Sequence, residues 1–369
     1  MSQSMIKNPF KFGSIVEGPY FTDRTGEMAR VKSILNSSNH LIVISPRRYG
    51  KSSLVFKVIG ELKRPVITLD LQLVTGVEDF AAQLLKRIYR VYPFEKIKQF
   101  VRRFRIIPTI ALNPVNNEVD IAFQPAASPM PALEDVLNLV EQLSSKKNRA
   151  IVVFDEFQEV PFIDPNLPRL LRSVMQQHQR INYIFLGSQE SLIRNIFEKK
   201  KSPFYHFGML MPLGKISPED FEIYLMNGFS GIKGVDKTVV AGILKFTGCH
   251  PYYTQQLAFV VWERLTRGDG VADPIEQAIE ELVRIHDMDY ERIWNGFNKT
   301  DKKLLIGLTL STQTPLSEAF YRKYGLGASS TVFSSLKRMM QQGSITKTGN
   351  GYEIDDPFFE RWIIRRRGM

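Results

Sequence analysis

The sequence between residues 41 and 59 constrains the fold more than any other part of this chain. An apolar run, Leu41–Ile44, leads into a short polar stretch that ends in Gly-Lys-Ser, and apolar residues at helical spacing follow. A strand, a tight loop and a helix in this order predict a phosphate-binding P-loop, in which loop amides and the helix N-terminus face the phosphates. Ser45 stands where such loops usually begin with glycine. Serine resists backbone angles that glycine permits, so the tightness of this first turn is in question.

The loop predicts ligands for ATP or ADP and for Mg²⁺. Lys51 would reach the β and γ phosphate oxygens, and the Ser52 hydroxyl would hold the metal ion. The predicted nucleotide-binding residues of the loop and of the helix start are Pro46, Arg47, Arg48, Tyr49, Gly50, Lys51, Ser52 and Ser53.

A second apolar run, Ala150–Phe154, ends in two acidic residues. It is typical of a buried parallel strand, and ligands of open α/β sheets bind at the carboxyl ends of such strands. Asp155 would hold Mg²⁺ directly or through water, and Glu156 would deprotonate the attacking water. The alternative is an ordinary strand followed by a solvated acidic turn. Both motifs in this order, each after an apolar strand, favour nucleotide binding.

The length of 369 residues predicts two or three domains. Up to about residue 215, apolar strands alternate with helical patterns, which predicts an α/β fold: the parallel sheet of a P-loop NTPase with helices on both faces. Residues 93–130 differ, because two β-like runs flank the turn Asn113–Asn117 and predict a hairpin outside the main sheet. This insertion is either an arm that binds a partner or a structural excursion.

The rest of the chain predicts two further domains, so that the expected boundaries are 1–215, 216–295 and 296–369. Ser217-Pro218 followed by acidic residues is a strong helix start, and only helical patterns follow it. The helical patterns themselves extend to about residue 290, and this part is a predicted helical lid. Three helical segments and a hairpin with Gly349-Asn350 at its tip then predict a C-terminal winged helix.

The net charge of +11 suggests an anionic partner, such as nucleic acid or a membrane surface, although a basic but inert surface is an equal alternative. The single cysteine, Cys249, excludes an internal disulfide and a multi-cysteine zinc site. No apolar run approaches the ~20 residues that span a bilayer, and no signal peptide is apparent. A cytoplasmic location and no membrane partner are therefore expected.

The winged helix contains about half of the positive excess, which makes DNA a possible partner. The predicted exposed face of its third helix, the wing and the C-terminal segment supply Ser329, Ser330, Thr331, Ser334, Ser335, Lys337, Arg338, Lys347 and Arg365–Arg367. Hydroxyls beside cations suit phosphate contacts. The alternative is a winged helix that packs on the rest of the chain or binds a protein.

With these motifs in this order, the chain resembles the STAND signal-transduction ATPases, and more closely the archaeal-type ATPase family within that class. The resemblance implies an AAA+-related fold, in which Phe21 and Arg24 of a Phe-x-x-Arg motif form a wall for adenine and ribose. It also implies that Ser188 is the polar sensor of the γ-phosphate, although helix capping is an alternative. In the Gly-x-His-Pro-Tyr motif, His250 and Pro251 would lie over the phosphates.

The chain departs from this family between residues 202 and 207, where a Gly-Arg pair is often found and no arginine is present. Because such an arginine contributes a factor of ~10³–10⁵ to turnover, hydrolysis is expected to be slow or stimulated by a partner. The sequence thus predicts a Mg²⁺-dependent ATPase that acts as a nucleotide-controlled switch. Alternatives are a DNA-binding regulator with ATP as effector and a nucleotide-binding scaffold with negligible turnover. A protein partner or self-association remains open.

Overall fold

The computed structural model describes residues 7–22, 24–112, 119–124, 127–232, 235–267, 273–311, 314–349 and 351–367. The predicted hairpin turn Asn113–Asn117, part of the predicted helix break at Lys233–Gly234, and Asn350 of the wing turn lie outside these residues. The chain divides into two compact units. The sheet unit comprises residues 24–45 and 51–213, and the helical unit comprises residues 1–23, 46–50 and 214–369.

The sheet unit contains seven described strands. They are β1 (Leu41–Ile44), β2 (Val66–Asp70), β3 (Thr109–Leu112), β4 (Val119–Ala122), β5 (Ala150–Asp155), β6 (Ile181–Gly187) and β7 (Met209–Pro212). Five of these form a parallel sheet in the order β2-β5-β6-β1-β7. The central strands β1 and β6 are buried along their whole length, as the continuous apolar runs predict.

Helices of the sheet unit pack around this sheet. They are α1 (Thr25–Asn36), α2 (Lys51–Glu61), α3 (Val77–Val91), α4 (Phe94–Val101), α5 (Met130–Leu143), α6 (Val160–Ile163), α7 (Leu167–Met175) and α8 (Glu190–Phe197). One apolar core joins the sheet to these helices, with the side chains of Phe80, Phe154 and Phe185 fully buried. The predicted parallel α/β sheet is confirmed.

The insertion at residues 93–130 contains a helix that the sequence interpretation missed. Strands β3 and β4 form the antiparallel hairpin, with Thr109 opposite Ala122 in a sheet of their own. The preceding helix α4 buries Ile97 and Val101. These two apolar residues recur at i and i+4, but the basic residues between and beyond them obscured this short pattern.

The helical unit contains nine described α-helices and one hairpin. They are α9 (Pro218–Gly228), α10 (Lys237–Thr247), α11 (Pro251–Arg267), α12 (Pro274–Ile285), α13 (Asp287–Gly296), α14 (Lys299–Leu310), α15 (Glu318–Tyr324), α16 (Ser329–Gln341), β8 (Ile345–Thr348), β9 (Gly351–Ile354) and α17 (Pro357–Arg367). The Ser217 hydroxyl accepts a hydrogen bond from the Asp220 amide, which is the predicted N-cap of α9. Within the described residues, no helix has the length and apolar content that a membrane crossing requires.

Three corrections concern the predicted exposed face of the winged helix and its C-terminal segment. Ser335 is buried rather than exposed, because its hydroxyl donates to Asp301 at 2.6 Å. Arg338 forms an ion pair with the same buried carboxylate. The side chains of Arg365, Arg366 and Arg367 belong to α17, which the sequence interpretation missed, and they pair with acidic residues of α12 and α13, namely Glu280, Asp287 and Glu291.

Candidate phosphate and metal site

The polar side chains at the carboxyl edge of the sheet converge within the sheet unit. Lys51 and Ser52 begin α2, and Asp155 and Glu156 follow the apolar part of β5. The Lys51 ammonium lies 3.4 Å from the Glu156 carboxylate, and the Ser52 hydroxyl donates to Asp155 at 3.3 Å. Ser188, directly after β6, donates to Glu156 at 2.6 Å. The parallel registers explain this convergence, because neighbouring strands end at one edge of the sheet.

Glu156 is held in its ionised form. Burial acts to raise the pKa of this carboxyl, but the Lys51 charge and hydrogen bonds from Ser188 and Gln158 outweigh burial and lower the pKa below its usual value. Glu156 also has a left-handed backbone, with φ of 51°. Such angles are uncommon for residues other than glycine and cluster at functional sites. An ionised, positioned carboxylate is what a general base requires.

Asp155 and Ser52 have the donor chemistry of a Mg²⁺ site. Burial raises the pKa of Asp155, while the nearby Lys51 opposes this effect. Hydroxyl and carboxylate oxygens are ligands that Mg²⁺ accepts, and in nucleotide sites the ion usually takes one or two carboxylates and completes its shell with water and phosphate oxygens. The described residues contain no group of three or more His, Cys, Asp or Glu side chains that could hold a metal ion.

Gln158 and Gly187 are site residues that the sequence interpretation missed. The Gln158 side chain is buried and its amide donates a short hydrogen bond to Glu156. Gly187 ends β6, and a Cβ atom there would lie 2.2 Å from the Ile193 side chain and 2.9 Å from the Gln158 carbonyl oxygen. The glycine thus makes room for the side chain that orients Glu156. An amide two residues after the acidic pair was the only sequence sign of this contact.

Ser45, the first residue of the phosphate loop, does not adopt a left-handed backbone conformation. Ser45 is not among the described residues with positive φ, and its amide donates to the carbonyl of Gly187 at 3.3 Å. The positive angles fall at Arg48 (φ 66°) and Gly50 (φ 84°). Serine is therefore compatible with this loop at the position where glycine is usual.

Residues Pro46–Gly50 belong by their contacts to the helical unit. Tyr49 is buried, and its ring lies 4.7 Å from that of His250 between centroids. The Arg48 guanidinium donates to the Tyr253 hydroxyl at 3.0 Å and covers the Tyr252 ring. Arg47 is exposed and forms no ion pair among the described residues, which leaves its charge available for an anion.

His250 is a buried, neutral imidazole. Burial, together with Lys215 and Arg48, lowers its pKa to about 3. Its Nδ1 accepts a hydrogen bond from the Tyr252 amide at 3.2 Å, which places the proton of the neutral ring on Nε2. That Nε2 atom has no hydrogen-bond partner among the described residues and lies 3.9 Å from the Asp355 carboxylate. The adjacent Pro251 begins α11.

The remaining predicted nucleotide residues lie in different units. Phe21 is half-buried in the helical unit. Arg24 is buried in the sheet unit and forms an ion pair with Glu27 at 3.1 Å. In α2, Ser53 is buried.

The buried carboxyl of Asp355 should make the stability of the folded chain depend on pH. Burial raises its pKa from 3.8 to about 6, although a hydrogen bond from Thr346 opposes this. Because the folded state holds the proton more tightly than the unfolded chain, this group lowers stability as pH rises from about 4 to 6. At about 1.4 kcal/mol per pH unit, the full cost above pH 6 is at most about 3 kcal/mol.

We therefore expect Asp355→Asn to raise the free energy of unfolding at pH 7.5 by about 1–3 kcal/mol and by much less at pH 4.5. Urea unfolding at both pH values measures this difference. Asp273→Asn, at the exposed N-cap of α12, is the control and should show no such gain. Equal effects of Asp355→Asn at the two pH values would contradict the assignment of a raised pKa.

Comparisons with known proteins agree with this architecture. A family model described as a probable winged helix domain matches residues 288–365. A Walker-type ATPase of Pyrococcus abyssi superimposes with a TM-score of 0.67 at 18% identity, covering 93% of this chain and 96% of the other. The Orc1 protein of Aeropyrum pernix, solved in complex with DNA, gives a TM-score of 0.50 at 12% identity, covering 94% and 93%. A search of curated proteins finds no match. At these identities the likeness shows the fold, which is that of P-loop ATPases.

Proposed function

We propose that this chain binds Mg²⁺·ATP and hydrolyses it to ADP and phosphate. The observation that carries the proposal is the convergence of Lys51 and Ser52 with Asp155 and Glu156, all at the carboxyl edge of a parallel sheet. An ammonium, a hydroxyl and two carboxylates in this order are the groups that phosphoryl transfer to water requires. The fold shared with the archaeal Walker-type ATPase supports the same reaction.

Each residue has a proposed role in this reaction. Lys51 neutralises the β and γ phosphate oxygens, and Ser52 and Asp155 hold Mg²⁺, which supplies further charge neutralisation when bound. Glu156 takes a proton from the attacking water, and Ser188 holds Glu156 in place and senses the γ-phosphate. Gln158 orients the same carboxylate.

We further assign the nucleotide contacts to the phosphate loop and to the segments that the family resemblance singles out. The loop supplies Pro46, Arg47, Arg48, Tyr49 and Gly50, Ser53 follows Ser52, and Phe21, Arg24, His250 and Pro251 complete the set. Because Tyr49 and His250 are buried against each other, their contribution comes from backbone amides or through neighbours rather than by direct stacking on the base.

The switch role rests on the archaeal-type STAND resemblance and on the absence of an arginine between residues 202 and 207. An ATPase without this arginine turns over slowly, so the bound nucleotide persists long enough to define a state. Calorimetric titration of Mg²⁺·ATP followed by phosphate release tests the proposal. Binding with slow turnover supports it, and absence of binding contradicts it.

DNA binding by the winged helix is a second candidate function, and a few side chains favour it. Among the described residues, Lys299, Lys337 and Lys347 are exposed and form no ion pair. Exposed hydroxyls of Ser330 and Thr331 lie on the same helix as Lys337. Six arginines of this domain pair with carboxylates instead: Arg322, Arg338, Arg361, Arg365, Arg366 and Arg367. The positive excess in the sequence thus overstates the charge available to DNA.

If the winged helix binds DNA, the double variant Lys337→Ala/Lys347→Ala should weaken binding and lower the slope of log affinity against log salt by about two, one for each lost phosphate contact. Arg338→Ala should instead lower the melting temperature, because it leaves buried Asp301 without its cation. Titration of a labelled duplex at several salt concentrations measures the first effect. No binding at low salt, with or without ATP, would exclude DNA as the partner.

A further inference from the structure

Two consecutive residues of the phosphate loop are linked, through intervening side chains, to two consecutive residues that follow the wing. Arg48 and Tyr49 lie in the loop, and Asp355 and Asp356 come directly after strand β9. All four belong to the helical unit, and two chains of polar interactions connect them in parallel.

The first chain runs from Tyr49 to Asp355. The Tyr49 hydroxyl interacts with the Thr346 side chain of β8, and the Thr346 hydroxyl donates a hydrogen bond to Asp355 at 3.0 Å. The ring of His250 also lies between Tyr49 and Asp355, because it packs on the Tyr49 ring and its Nε2 atom lies 3.9 Å from the Asp355 carboxylate. Tyr49 and His250 are 4% and 1% exposed, so water competes little for these contacts.

The second chain runs from Arg48 to Asp356. Arg48 donates to the Tyr253 hydroxyl at 3.0 Å, and the Tyr253 hydroxyl interacts with the Asp356 carboxylate. Tyr290 donates to the same carboxylate at 3.2 Å. The guanidinium also lies 4.7 Å from the centre of the Tyr252 ring. Arg48 thus has fixed partners while its backbone adopts the left-handed φ of 66°.

We infer that Arg48 and Tyr49 are positioning residues through which helix α11 and the winged-helix hairpin hold the phosphate loop in its binding conformation. A left-handed angle at a residue with a Cβ persists only where the surroundings hold it. Tyr252 and Tyr253 of α11 contact Arg48, and Thr346 of the hairpin interacts with the adjacent Tyr49. The loop amides face a phosphate only while this backbone is held. A ligand that displaces the wing would therefore weaken nucleotide binding, and by linkage bound nucleotide would stabilise the wing. This inference rests on the proposed nucleotide site.

Thr346→Val tests the inference at a residue that is not in the proposed nucleotide site. Valine keeps the shape of threonine and removes the hydroxyl between Tyr49 and Asp355. The matched control is Thr348→Val, two residues along the same strand, whose buried hydroxyl has no partner among the described residues. Loss of one hydrogen bond is expected to raise the Kd for Mg²⁺·ATP about 5- to 10-fold in Thr346→Val. Thr348→Val should stay within about twofold of the wild type.

A double-mutant cycle makes the test specific. Tyr49→Phe keeps the ring on His250 but removes the hydroxyl, so it should reproduce the effect of Thr346→Val. The double variant should be no weaker than either single variant, because all three break one interaction. Hydrogen exchange of peptides that cover residues 46–50 should also accelerate in Thr346→Val and not in Thr348→Val.

The outcomes separate this inference from the proposed function. Nucleotide binding by the wild type with an unchanged or tighter Kd in Thr346→Val would overturn the inference and leave the proposed function intact. A lower melting temperature of Thr346→Val without a change in Kd would show that the Thr346 hydroxyl contributes only to stability, and it would equally overturn the inference. If the wild type bound no nucleotide, the proposed function would fail, and unchanged exchange at residues 46–50 would then refute the holding role as well.

Discussion

Lys51→Ala is expected to weaken the binding of Mg²⁺·ATP by about 10- to 100-fold. Hydrogen bonds to charged groups contribute about 1.5–3 kcal/mol, and each 1.4 kcal/mol is a factor of ten in affinity. The Lys51 side chain is 9% exposed and lies 3.4 Å from Glu156, so its removal also leaves that carboxylate without its cation. The variant should therefore bind weakly and unfold at a somewhat lower temperature. Calorimetric titration measures the affinity.

Lys57→Ala is the matched control for this change. Lys57 lies in the same helix, pairs only loosely with Glu61 at 4.0 Å, and is more exposed than Lys51. Its removal should leave affinity and stability nearly unchanged. Equal affinities for Lys51→Ala and the wild type, in a variant that still melts cooperatively, would show that the Gly-Lys-Ser sequence does not bind phosphate in this chain.

Glu156→Gln is expected to lower ATP turnover by about 10²- to 10⁴-fold while ATP binding persists. A positioned general base contributes a factor of this size, and an amide cannot take a proton from water. The glutamine oxygen can still accept hydrogen bonds from Ser188 and Gln158, so the local structure should survive the change. Steady-state phosphate release measures turnover, and calorimetry confirms that the variant binds.

The control for this prediction is Glu190→Gln, which removes an exposed carboxylate that pairs with Arg194 in α8. Turnover of this control should match that of the wild type. Undiminished turnover in Glu156→Gln would show that another group activates the water, and the assignment of Glu156 as base would then be wrong.

The sheet and the edge that carries the proposed site are predictable because their signals are local. A parallel strand buried on both faces reads as a continuous apolar run, and Leu41–Ile44 and Ala150–Phe154 are such runs. Since parallel strands end at one edge, residues that follow two neighbouring strands come together without any knowledge of tertiary contacts. Ser188 and Glu156 are an example.

What the sequence did not reveal depends on pairing across long stretches of chain. In the sequence, Ser335 stands near Lys337 and is predicted to be exposed. In the structure it is buried, because its hydroxyl donates a hydrogen bond to Asp301, in a helix more than 30 residues earlier. The sequence of Arg365–Arg367 suggests a segment of unpaired cations, whereas in the structure Arg366 forms an ion pair with Asp287. No local pattern reports such partners. Helix α17 was missed although its buried Phe358, Phe359, Trp362 and Ile363 recur at helical spacing, because the interpretation rested on the arginines that follow them.

A single-turnover experiment tests most directly whether this chain hydrolyses ATP with Glu156 as the base. With Mg²⁺ present and the wild-type chain in excess over radiolabelled ATP, most of the nucleotide is bound, so even slow hydrolysis is visible without a partner. We expect nearly all labelled ATP to be converted to ADP and phosphate in one exponential phase, and Glu156→Gln to leave it intact under the same conditions. ATP that remains bound and unhydrolysed by the wild type, or hydrolysis at the same rate in Glu156→Gln, would contradict the proposed function.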